Sequence, residues 1–260
     1  SSGGSARRWR SLEYRYTEDL DGPPFISLLS RRVETEVDEA ASPRAIASSF
    51  RYDAFGNVIE RVDFGEVAAR AEDVLTDLVP ADTRTTEVEY ARVAGEPDPY
   101  LVNRVRRQRI RQGLPGSGTV LRETLHHFDG DTTGASAPTR GLLTRRIDVR
   151  VPGTTAGPTT TYGYDGYGNL LWVREPRANA GQGGGTTLFG IDSRWHAFRT
   201  SVTNPLGQLI RSSTATPPGC ASYPAGAGIV QEERGPNVAA GEPGLRRCLD
   251  VFGRVVRERA

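Results

Sequence analysis

The sequence contains no methionine and no lysine. Without lysine, a Walker-type phosphate loop, a Schiff-base lysine and a Ser-x-x-Lys nucleophile are all excluded, because each needs that amine. All 33 basic residues are therefore arginine, which GC-rich coding explains without any function. The missing methionine makes the chain an expected excerpt of a longer protein. Cysteine is scarce: Cys220 and Cys248 are too few for an all-thiolate zinc site, and His126, His127 and His196 lie elsewhere. A disulfide closing a long loop and two separate buried thiols both remain open for that pair. No apolar run approaches the ~18 residues of a membrane-spanning helix, and no signal peptide is visible at Ser1, where an excerpt would not show one. Net charge is only +1, so no global field recruits nucleic acid or an anionic membrane.

What the sequence has in excess is Gly (30) and Pro (17), against a modest apolar share. That mixture predicts many short strands joined by many turns. Alternating runs fit two-sided strands at Glu13–Asp19, Leu28–Glu39, Thr83–Val93, Thr119–Phe128 and Leu143–Val151. One helix is predicted, over Val67–Leu78, stopped by Pro80. Loops are predicted at Ser1–Ser5, Pro152–Thr160, Asn179–Thr187 and Thr216–Gly228.

One phrase returns. It reads "YDAFGNVIERV" at Tyr52–Val62, "YDGYGNLLWV" at Tyr164–Val173 and "LDVFGRVVRE" at Leu249–Glu258. A looser copy, "TNPLGQLIRS", spans Thr203–Ser212, with Asn204 in the Asp position and Leu206 for the aromatic. A catalytic site is normally built once, so a returning phrase reads as architecture. In each copy a glycine (Gly56, Gly168, Gly207, Gly253) supplies the positive φ of a tight turn. Asp53, Asp165, Asn204 and Asp250 bond nearby amides, helped by Asn57 and Asn169. Tyr52 with Phe55, Tyr164 with Tyr167, and Phe252 are expected to pack onto neighbouring hairpins. The turn glycines are spaced near multiples of about 20 to 23 residues, a hairpin-sized unit. His126–Val149 is a candidate for a degenerate copy in the long first gap.

These phrases, in order with "DTRTTEVEYA", "YLVNRVRRQRI", "RETLHHFDG" and "GLLTRR", resemble the YD-repeat (Rhs-repeat) superfamily. The wider text is similar to the B component of bacterial insecticidal toxin complexes and its SpvB-associated relatives, from about Tyr14 onward. The third copy departs from the pattern, with Leu249 in place of the tyrosine. The resemblance implies a long β-sheet strip spiralling into a hollow shell that encloses a toxic C-terminal cargo. In other members the repeats sit on secreted or cell-surface toxins, and carbohydrate association is attributed to them. The family's self-cleaving aspartate site has no match here.

Other candidate chemistry is weaker than its structural explanation. Asn103–Gln112 holds Arg104, Arg106, Arg107, Arg109 and Arg111, a grip for nucleic acid or acidic cargo. No aromatic interleaving supports base stacking, so a strand whose guanidinium heads reach water or nearby Glu is preferred. His126, His127 and Asp129 are the densest ligand-type cluster, yet neighbours on a strand point to opposite faces. Paired acid–base work by Asp53, Asp165 and Asp250 is less economical than turn capping. "GQGGG" at Gly181–Gly185 lacks both phosphate-loop spacing and a following helix. Trp9, Trp172 and Trp195 fit either sugar platforms or hairpin packing, the latter preferred.

The expected architecture is thus all-β: repeated β-hairpins forming a curved, spiralling antiparallel sheet strip, residues 1–260 being one YD-repeat shell segment. The expected role is non-enzymatic, a wall segment of a secreted or cell-surface bacterial toxin-delivery protein with no cofactor and no metal. Its partners would be the remainder of the same polypeptide, the toxic cargo and other toxin-complex components, without nucleic acid or a membrane span. The alternative is a surface module binding carbohydrate through exposed aromatics.

Overall fold

The computed structural model describes residues 8–19, 26–38, 43–68, 75–92, 101–220, 228–239 and 242–259. The fold is all-β, sixteen strands hydrogen-bonded in strict chain order in one antiparallel sheet. Backbone contacts group into two compact units, Ser1–Gly141 with Ile147–Gly157, and Leu142–Arg146 with Pro158–Ala260.

The first unit holds β1 (Arg8–Asp19), β2 (Ile26–Asp38), β3 (Arg44–Tyr52), β4 (Val58–Val67), β5 (Arg84–Tyr90), β6 (Val105–Gln112) and β7 (Val120–Phe128). Strand β8 (Leu143–Val149) is divided between the units. Every alternating run named above is a strand, with ends displaced by a few residues; Ser1–Ser5, Glu39, Val93, residues 221–227 and the side chain of Trp9 lie outside the described residues. A small core forms where Val33, Ala45, Ala47 and Val67 meet, with Phe64 and Leu75 against them. Register explains it, since Val33 faces Ala47 and Ala45 faces Val67 across adjacent strands. At the bulge beside Ala47, Gly65 has φ +66, and a Cβ there would stand 2.3 Å from Asp82 Oδ1. Only glycine lets that carboxylate approach the backbone so closely.

The helix expected over Val67–Leu78 is not formed at its ends. Val67 belongs to β4 and forms an antiparallel bridge with Asp77. The Ala68 N–H donates to Thr76 O and the Leu78 N–H to Glu66 O, so the two ends of the segment are paired with each other. A twelve-residue helix would hold its ends about 16 Å apart. Edge pairing along β4 prevails over helix propensity; residues 69–74 lie outside the described residues.

The second unit holds β9 (Thr159–Tyr164), β10 (Leu170–Arg174), the one-turn helix α1 (Pro176–Asn179), β11 (Thr186–Ile191), β12 (Arg199–Thr203), β13 (Leu209–Ser213), β14 (Glu232–Arg234), β15 (Leu245–Leu249) and β16 (Val255–Arg259). Trp172 lies opposite Gly163, and a Cβ on that glycine would meet the indole nitrogen at 2.0 Å. The indole therefore covers the glycine and completes the sheet surface there. Cys220 and Cys248 form a disulfide that ties the β13–β14 connection to β15.

Candidate functional site: the repeat turns

All four phrases fold as one five-residue turn. The closing pairs are Tyr52 with Val58, Tyr164 with Leu170, Thr203 with Leu209 and Leu249 with Val255. In each, the Asp or Asn backbone N–H donates to the carbonyl four residues on: Asp53 to Asn57, Asp165 to Asn169, Asn204 to Gln208, Asp250 to Arg254. The glycine N–H returns a bond to the first residue's carbonyl, and φ is +78, +93, +79 and +79 at Gly56, Gly168, Gly207 and Gly253. One side-chain oxygen accepts two further amides. Asp53 Oδ1 takes those of Phe55 (2.8 Å) and Asn57 (3.0 Å); Asp165, Asn204 and Asp250 do the same. In the three copies on odd-to-even connections a bulge follows the turn; the Asn204 copy has none.

These carboxylates are committed as acceptors. Burial pushes the Asp53 carboxyl up, but bonds from the Asn57 side chain and backbone and from Phe55, with Arg92 nearby, hold it below the usual range. The Asn169 side chain does most to lower Asp165, and the Arg254 N–H does most to lower Asp250. A carboxylate held ionised by its own turn is a poor general acid.

The two aromatics of the phrase do different things, which corrects the expectation that both pack between hairpins. Tyr52 and Tyr164 are half-buried, and their hydroxyls donate to Leu29 O (2.7 Å) and Leu143 O (2.9 Å) on the preceding strand. The second aromatic sits at the turn tip, where its own strands no longer flank it. Phe55 is 48% exposed, Tyr167 71%, Phe252 79%, and Leu206 in the looser copy 83%. Each ring leans instead on a cation or imidazole. Arg92 lies over Phe55 at 4.9 Å, His196 stacks on Tyr167 at 4.2 Å, and Arg254 lies over Phe252 at 5.1 Å.

Successive turns on one rim are also tied together. The Asn57 amide donates to Val102 O (3.0 Å), while Arg92 pairs with Asp53 at 3.1 Å. In the second unit the Asn169 amide donates to His196 O (2.6 Å). The connection holding His196 is an enlarged version of the same turn. Asp192 N–H donates to Phe198 O, and its carboxylate accepts the amides of Trp195, Ala197 and Phe198. His196, at φ +52, takes a left-handed conformation like the turn glycine's.

Two members of this system escaped sequence reasoning. Tyr90 ends β5 and donates to Val58 O (2.9 Å), repeating the tyrosine latch without the Asp that made the phrase recognisable. Asp192 was hidden because Ile191 precedes it and two extra residues lengthen its turn. Conversely, the His126–Val149 candidate is not a copy. Its connection is built on Asp129, which accepts the amides of Thr139, Arg140 and Gly141, and on Asp131, which caps Thr133 and Ser136.

The arginine run on β6 is a charge ladder. Arg111 bonds Glu87 at 2.9 Å, Arg106 and Arg107 meet Glu89, and Arg107 and Arg109 converge on Glu123, which is only 1% exposed. Among the described residues Arg104 reaches the neighbouring Asn103 side chain at 3.5 Å. His127 is buried, with Nδ1 3.2 Å from Asp131 O, while His126 is half-buried. Among the described residues no group of three or more His, Cys, Asp or Glu is placed to hold a metal ion. The Gly181–Gly185 stretch follows α1 instead of preceding a helix. Trp195 is 57% exposed, with Arg194 over its ring at 4.9 Å.

No protein-family model matches the chain, and no curated protein matches it.

Proposed function

We propose that this chain is a structural segment of a protein shell, a wall that shields a cargo polypeptide of the same large toxin-type protein from solvent and proteases. The observation that carries this reading is the turn system. Four phrases make one turn, successive rim turns are bonded to each other, and the strands pair in chain order without a break. Such a strip leaves free edges only at its first and last strands, which suits containment. The disulfide fits an oxidising, secreted or cell-surface setting. The role is non-enzymatic: the repeated carboxylates, the strongest candidates for acid–base work, are occupied by amides of their own turns. Partners under this reading are the rest of the polypeptide, its cargo and further toxin-complex components.

A second reading has one observation in its favour. Tyr167 and Trp195 stand largely exposed on connections at one rim of the second unit, as a carbohydrate platform requires. Protease digestion of the parent polypeptide separates the two. Under containment, the region beyond this segment is protected in the natural sequence and cleaved when Gly56, Gly168 and Gly253 are replaced by valine. Equal cleavage of both, with retention on a glycan array that Tyr167→Ala abolishes, establishes the second reading.

A further inference from the structure

The face of the sheet that carries Ser201 on β12 continues across β13 to β16 through Arg211, Ser213, Glu232, Arg234, Arg246 and Arg259, by the alternation of each strand. Its register sets like charges opposite each other, Arg211 against Arg234 and Arg246 against Arg259. Directly opposed like charges destabilise an antiparallel pair. The β5–β7 ladder shows the contrary arrangement in this same chain, with Glu87 opposite Arg109, Glu89 opposite Arg107 and Glu123 opposite Arg109. On the β12–β16 face the one carboxylate, Glu232, is shared by Arg234 and Arg246 at 3.2 Å each and also accepts the Gly244 N–H. Arg211 makes no ion pair among the described residues.

Beside the Arg211–Arg234 pair, of which only Arg234 has a carboxylate partner among the described residues, lies a groove of about 460 Å³ bordered by Thr200, Ser201, Arg211, Ser212, Ser213, Glu232 and Arg234. That volume is within the usual range for small-molecule sites. Small side chains on β12 and β13 leave the space, and their hydroxyls are donors beside two guanidinium forks. Guanidinium groups with hydroxyl donors match the geometry of a tetrahedral oxyanion. Glu232 does not repel such a guest strongly, because its charge is already engaged by Arg246, Arg234 and an amide.

We propose that this groove binds a small molecule bearing a doubly charged tetrahedral oxyanion, phosphate or sulfate, clasped between Arg211 and Arg234. The bound anion replaces the cross-strand repulsion with two charge-assisted contacts.

The test is calorimetric titration of the intact chain with pyrophosphate and, separately, with inorganic sulfate at low ionic strength. Saturable one-site binding is expected, weakened ~10-fold or more in Arg211→Gln, and unchanged in Arg247→Gln, whose side chain lies on the opposite face paired with Glu258. The tighter of the two anions identifies the ligand class. A second variant guards against misfolding. R211E sets a carboxylate opposite Arg234, and should raise the melting midpoint by about 1–3 °C while abolishing the stabilisation that pyrophosphate gives the natural chain. Absence of saturable binding, equal losses in Arg211→Gln and Arg247→Gln, or retained binding in R211E would each overturn the proposal.

Discussion

The side-chain amide of Asn57 donates to the carbonyl of Val102, 45 positions along the chain, at 3.0 Å. Between them lie the two strands β4 and β5, so the bond joins one rim connection to the next on the same side. Asn169 and His196 repeat the relationship at 2.6 Å, 27 positions apart. The phrase therefore has two jobs. Asp and Gly close each turn, and Asn sets the spacing between turns.

The tyrosine latches are the first quantity to measure. Tyr52→Phe, Tyr90→Phe and Tyr164→Phe each remove one part-buried hydrogen bond and strand a carbonyl. Each should cost about 0.5–1.5 kcal/mol in urea unfolding. Tyr90, which lacks the rest of the phrase, should cost as much as the other two.

Turn glycines with positive φ should reject a Cβ irrespective of sequence context. Gly56→Ala, Gly168→Ala and the divergent Gly207→Ala are each expected to lose about 1–2 kcal/mol. Gly166→Ala, in the same turn as Gly168 but without positive φ and with open space around it, should lose nothing measurable. Thermal melts of the four variants decide this.

The buried end of the arginine ladder should matter more than its exposed end. Glu123→Gln leaves Arg107 and Arg109 without their shared buried partner, and about 3 kcal/mol of destabilisation is expected. Glu89→Gln, at a partly exposed position, should cost about 1 kcal/mol or less. Equal losses would show that the ladder is not organised around Glu123.

Acid should weaken the carboxylate-held loops. The amides of Phe198 and Trp195 hold Asp192, and those of Ser136 and Thr133 hold Asp131, at about 2 against an ordinary 3.8. A depressed folded value means the stabilisation is complete above the unfolded value and disappears as pH falls through the folded one. Melting midpoints should therefore hold above pH 5 and fall between about pH 4 and pH 2. Asp192→Ala should flatten part of that decline.

Reduction of Cys220–Cys248, which closes a span of 28 positions, should cost about 3–4 kcal/mol by chain-entropy reasoning. Melts with and without reductant, compared with the double serine variant, give the figure.

Much of this was legible in the sequence, for identifiable reasons. A turn that needs positive φ and a short polar cap writes itself as Asp or Asn with Gly three positions on, so even Asn204–Gln208 was readable. Strand alternation exposed the long strands equally well. Tyr90 and Asp192 were unreadable because each keeps only one part of the phrase, and position in the sheet supplies the rest. The directions of the aromatics were also hidden. Tyr52 and Phe55 look alike in sequence, yet one closes against a neighbouring strand and the other projects from a turn tip. The Val67–Leu78 segment misled because its helical periodicity is local, whereas the Val67–Asp77 bridge comes from pairing that periodicity does not encode.

Native-state hydrogen exchange at four amides tests the central claim, that one turn is built four times. Asn57, Asn169, Gln208 and Arg254 each donate to the side-chain oxygen that opens their turn. Measurable protection is expected at all four, with Asp53→Ala removing it at Asn57 and leaving it at Gln208. Free exchange at Gln208 or Arg254, while Asn57 and Asn169 stay protected, would contradict it.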